Sequence, residues 1–141
     1  MLTQTIPGLF DGAASQSAFQ QRMLVVRRFS SAIPADVRGA FLVAVPRKEG
    51  ESPVMKSLTE NFIVGRGDKA IWRMADDKLK LSSLHFVISR NGNDYTLTDL
   101  NSKNGTRLNE DCRAVKSCSL KHGDFIHAAG FTFMLAIIQN S

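Results

Sequence analysis

The residues able to do chemistry gather between Gly65 and Gly130. In order they are Gly65-Arg66, Ser82-Ser83-Leu84-His85, Asp99 followed by Lys103-Asn104-Gly105-Thr106, Asn109, and Gly123-Asp124. These types suit holding an anion better than breaking a bond. A guanidinium such as that of Arg66 offers charge-assisted donors in a fixed fork that matches a phosphate. A hydroxyl such as that of Ser82 adds a short directional hydrogen bond. Lys103 would add a flexible positive charge. The net charge of +5 points the same way, towards phosphopeptides, nucleic acids or acidic membranes.

Signals for an enzyme are missing. No serine stands in a G-x-S-x-G elbow, and there is no H-E-x-x-H pair. The run Gly65-Arg66-Gly67-Asp68-Lys69 lacks the spacing of a phosphate-binding P-loop. Cys112, Cys118, His122 and His127 do not read as a zinc site. Five residues separate the cysteines, where structural pairs usually have ~2–4. Neither a metal nor a cofactor is expected. Two cysteines without a secretory signal imply a reducing compartment, hence a cytoplasmic location.

Elements must bring these scattered residues together. Short β-branched and aromatic runs recur: Phe41–Val45, Phe62–Val64, His85–Ser89, Tyr95–Thr98, Phe125–His127 and Phe131–Leu135. Pro46, Gly65 and Gly130 punctuate them, and Asn91-Gly92 reads as a hairpin turn because both residues tolerate positive φ. Many short strands between turn residues indicate an all-β antiparallel sandwich. Loops at one end of such a sandwich can assemble a site from distant positions.

The first part of the chain differs. Residues 1–12 read as an irregular tail carrying Thr3 and Thr5. From Ala13 to Phe29, Phe19, Met23, Val26 and Phe29 recur at helical spacing on one face, while Gln20, Gln21 and Arg28 fall largely elsewhere. The apolar face of this helix needs cover, either on the sandwich or in a dimer. The expected organisation is a tail and amphipathic helix over 1–38 and the sandwich over 39–141. No stretch approaches the ~18 apolar residues of a membrane span.

In order and spacing the motifs resemble those of the forkhead-associated (FHA) family: Gly-Arg, Ser-x-x-His, an Asn-Gly turn after an aspartate, and a late Gly-Asp. The resemblance covers roughly residues 39–138. It implies a phosphothreonine-binding module, with Arg66 and Ser82 on the phosphate, Asn104 holding the ligand backbone, and Ser83 and Lys103 at neighbouring contact positions. Gly65, His85, Asp99 and Gly105 are implied to be architecture: a close turn, a brace, a loop anchor and a flexible backbone point. Ser83 and Lys103 depart from the arginine and the serine or threonine many members carry there, which leaves ligand preference open. The implied partners are proteins phosphorylated by a Ser/Thr kinase, or the chain's own tail phosphorylated at Thr3 or Thr5, and such a module can control an attached output domain. The alternatives are a phosphate-independent assembly domain and a nucleic-acid binder. The single Trp72 and single Tyr95 offer the latter little base stacking.

Overall fold

The structure is a computed structural model that describes residue 24 and residues 38–48, 50–76 and 78–138. The tail, its Thr3 and Thr5, and the expected helix over Ala13–Phe29, Leu24 apart, lie outside the described residues.

Ten strands form: β1 (Gly39–Ala44), β2 (Val54–Ser57), β3 (Phe62–Gly65), β4 (Trp72–Arg73), β5 (Phe86–Asn91), β6 (Asp94–Asp99), β7 (Thr106–Leu108), β8 (Ser117–Leu120), β9 (Phe125–Ala128) and β10 (Phe131–Ile138). They pair into two five-stranded sheets, ordered β2-β1-β10-β9-β7 and β4-β3-β5-β6-β8. Apolar side chains alternate along the longer strands, so each sheet turns one apolar face to the other.

One pairing corrects the expectation of a wholly antiparallel sandwich. β4 runs parallel to β3, with Val64 opposite Trp72 and Gly65 opposite Arg73. Ile71 N–H donates to Ile63 O at 2.8 Å, which starts this return alongside β3. Parallel neighbours normally need a crossover of a dozen or more residues, so the short loop 66–71 carries no signal for one. The hairpin also shifts by one residue. Asn91 pairs with Asp94, so Gly92 and Asn93 form the turn. Only Gly92 has positive φ, at +64°, as in turns whose first central residue is glycine.

Between the sheets lie Phe62, Val64, Trp72, Phe86, Ile88 and Leu97 on one side and Leu42, Ile126, Phe133 and Leu135 on the other. Phe133 meets Trp72 and Phe86 edge-on, with centroids 5.5 Å and 5.7 Å apart. Such pairs add roughly 0.5–1.5 kcal/mol each beyond burial. Leu81, which belongs to no strand, is also fully buried in this core. It anchors the long loop 74–85. Strand directions place loops 66–71, 74–85 and 100–105 at one end of the sandwich. No helix among the described residues is long and apolar enough to cross a membrane.

Candidate functional site

The loop 74–85 lies in the middle of this end, fastened to β3 by backbone. Arg66 N–H donates to Ser82 O at 3.0 Å, Gly67 N–H to Ser83 O at 2.9 Å, and His85 N–H to Val64 O at 2.9 Å. The two backbones touch at Gly65. A Cβ built there would lie 2.1 Å from Ser83 O and 2.8 Å from its carbonyl carbon. The expectation for Gly65 was a close turn. It is instead the last residue of β3, without left-handed φ, and its glycine is required by this contact.

Three groups converge on the strip Lys80-Leu81-Ser82. Arg66 Nε–H donates to Leu81 O at 3.0 Å. Asn104 Nδ2–H donates to Lys80 O at 2.7 Å, and Lys103 N–H to Ser82 Oγ at 2.9 Å. Because Ser82 Oγ accepts from Lys103, its own proton is available to donate to an anion. Ser83 is exposed, its carbonyl held by Gly67.

His85 is fully buried behind the strip. Its Nδ1 accepts from Ser82 N–H at 3.0 Å, which places the ring proton on Nε2, and Nε2–H donates to Gly105 O at 2.8 Å. One neutral imidazole thus ties loop 74–85 to loop 100–105. Asp99 organises the second loop. Its Oδ1 accepts from Ser102 Oγ and Thr106 Oγ1, both at 2.6 Å, and its Oδ2 from Ser102 N–H at 3.0 Å. Burial pushes the Asp99 pKa up, but these hydrogen bonds, with Ser102 Oγ foremost, outweigh it and hold the carboxyl below its ordinary value. Gly105 has φ +82°, and a Cβ there would press on Ala114 at 3.1 Å.

Asp76 was not anticipated, nor were the supporting roles of Ser102 and Thr106. The Asp76 carboxylate accepts from the N–H groups of Lys78 at 3.2 Å, Lys80 at 2.9 Å and Leu81 at 2.8 Å. The Leu81 bond is the largest influence on its pKa, which lies below the ordinary value despite the opposing effect of burial. The cage holds Leu79 at φ +54° with 62% of its surface exposed. Aspartates commonly accept from N–H groups a few residues on, and that signal stood in the sequence.

The described acids in and beside loops 66–71, 74–85 and 100–105 are thereby engaged. Asp76 and Asp99 serve backbone and hydroxyl donors, and Asp68 pairs with Arg73 at 2.9 Å. Among the described residues, Arg66, Lys80 and Lys103 meet no carboxylate within ion-pair distance. Among the described residues the strip is therefore flanked by positive charge that no carboxylate pairs.

Other singled-out residues lie elsewhere. Asn109 and Asp124 join β7 to β9 at the opposite end, with Asn109 Nδ2–H donating to Asp124 Oδ1 at 3.2 Å and Phe125 N–H to Asn109 Oδ1 at 2.8 Å. Among the described residues no three His, Cys, Asp or Glu side chains gather as metal ligands would. A groove of about 490 Å³, lined by Pro46, Arg47, Glu51, Met74 and Phe131, contains none of the candidate ligand residues. Recognition on loop tips needs no cavity, because an extended peptide can lie across them.

Known proteins share this fold. The model of the FHA domain family matches residues 62–129. The solved FhaA FHA domain, complexed with the intracellular domain of Rv3910, is 30% identical, with a TM-score of 0.58 over 69% of this chain and 99% of its own. An FHA domain solved in a study of phosphothreonine-dependent FHA interactions is 29% identical, with a TM-score of 0.59 over 70% of this chain and 95% of its own. The FHA domain of CT664 from Chlamydia trachomatis shares the fold at 23% identity, with a TM-score of 0.59 over 71% of this chain and 97% of its own. No curated protein matches the sequence.

Proposed function

Because the chain belongs to the FHA domain family, we propose that its three-loop end docks phosphothreonine segments of proteins modified by a Ser/Thr kinase. FHA domains are binding modules, not enzymes, and the reading needs no cofactor. Arg66 and Ser82 take the phosphate, the first through its guanidinium and the second through its hydroxyl proton. Lys103 adds charge beside them, and Ser83 lies at the rim. Asn104, held to Lys80 O through Nδ2, offers its Oδ1 to a ligand N–H. Gly65, His85, Asp99 and Gly105 hold the loops in register.

The observation that carries the reading is an arginine without a carboxylate partner among the described residues, pinned beside a serine whose oxygen already accepts. The pinning matters because a guanidinium held through Nε reaches the anion with less loss of side-chain entropy. The relative studied for phosphothreonine-dependent interactions supports the same ligand class.

Titration calorimetry against a peptide selected from a phosphothreonine library tests this. The wild-type chain binds and Arg66→Ala loses binding by about 1.5–3 kcal/mol or more, the scale of a charge-assisted hydrogen bond, while its circular dichroism stays that of the folded sandwich. Equal affinity in the variant would remove Arg66 from the site. A folded wild-type chain that binds no phosphopeptide would leave the sandwich as an assembly domain instead.

A further inference from the structure

The sheet β2-β1-β10-β9-β7 has two apolar faces, and the core accounts for only one. Leu42, Ile126, Phe133 and Leu135 face the core. The residues alternating with them, Phe41, Val43, Phe125, Met134 and Ala136, form a separate apolar cluster with Val45. A period of two places that cluster on the outer face. The outer face of a sandwich normally meets water. Here Val43 and Ala136 are 0% exposed, and Phe125 and Met134 are 2% exposed. Values so low require a layer above the sheet. The described strands make none, since all of them lie within the two sheets.

We propose that Ala13–Phe29 of the same chain packs on this face as an amphipathic helix. Phe19, Met23, Val26 and Phe29 supply the matching apolar stripe, while Gln21 and Arg28 fall opposite. Leu24, the N-terminal residue that is described, is helical and 43% exposed. At about 100° per residue it lies far round from both Met23 and Val26, so it faces water when they face the sheet. The connection also fits. The chain enters the fold at Gly39, the first residue of β1, and β1 and β10 together bear most of the cluster. The residues between Phe29 and Gly39 reach up to about 33 Å when extended. A helix over 13–29 is about 25 Å long, close to the roughly 26 Å of β10. The proposal is independent of the phosphopeptide reading, because this face is not the loop end.

Hydrogen exchange on the full chain, with its mass followed by light scattering, tests the proposal. The expected result is a monomer whose amides in 13–29 are protected, with protection persisting on dilution. Met23→Asp/Val26→Asp should abolish that protection and raise binding of an apolar dye, while Leu24→Asp changes neither. Exchange of 13–29 in the wild-type chain at the rate of unstructured peptide overturns the proposal. So does protection that exists only in a dimer and vanishes on dilution, which would place a second copy on the face. The wild-type measurement decides even where the double variant does not fold.

Discussion

His85 and Ser82 share a hydrogen bond but differ in what their loss removes. His85→Ala leaves Ser82 N–H and Gly105 O, both partly buried, without their partner. Each such group costs about 1–3 kcal/mol, so the melting temperature falls clearly. Ser82→Ala removes a half-buried hydroxyl that accepts one N–H from an exposed loop, so the melt changes little while phosphopeptide affinity falls. Thermal melts and titrations of both variants check this, and the opposite pattern would exchange their roles. Asp99 makes the site acid-sensitive. Its folded pKa lies below the ordinary 3.8. Its contribution to stability is therefore complete above the unfolded value and is lost as pH falls through the folded one. Denaturant melts at a series of pH values should show that loss at the acid end. Thr106→Val removes one donor to the carboxylate, raises its pKa and shifts the loss to higher pH. An unchanged acid profile in Thr106→Val would count against this account.

The loop 74–85 functions as an element although it has no regular structure. Leu81 fixes it to the core, Asp76 gathers its backbone N–H groups, and β3 receives its end. The tightest point is Gly65 against Ser83. Gly65→Ala would place a methyl 2.1 Å from a carbonyl oxygen, and neither backbone can yield without breaking the bonds on either side. Overpacking of this kind costs about 1–3 kcal/mol. It would also lift Ser82 away from Arg66. A urea titration should show a lower midpoint, and calorimetry a weaker phosphopeptide, together. Lost stability with unchanged affinity would mean that the contact supports the fold but not the site.

For the molecule as a whole, charge governs approach. The net charge is +5, and Arg66, Lys80 and Lys103 stand at one end without carboxylate partners among the described residues. The Debye length shrinks from about 10 Å at 0.1 M salt to about 3 Å at 1 M. Phosphopeptide affinity should therefore fall across that range, mainly through slower association, while dissociation changes less. Surface-resonance kinetics at several salt concentrations would show this. Association rates that ignore salt would locate recognition in apolar contacts.

The sequence by itself determined what local chemistry encodes. Alternating runs such as Phe131–Leu135 and turn residues such as Gly92 marked a sandwich of short strands, and the ordered motifs marked Arg66, Ser82 and Asn104. Strands β4 and β7 escaped notice because they have only two and three residues, and β2 and β8, as long as the recognised β3 and β9, because polar residues interrupt them. β2 and β8 also alternate weakly, and their pairing partners, not their own propensity, make them strands. Only the tertiary structure decided that Gly65 is needed for a backbone contact with Ser83, that Asp76 gathers its loop, and that β4 returns parallel to β3. It alone brought Arg66, Lys103 and Asn104 onto one strip. Periodicity reports which face of an element is apolar. It carries no record of which distant backbone will lie against that element, and both the clasped loops and the covered outer face are contacts of that kind.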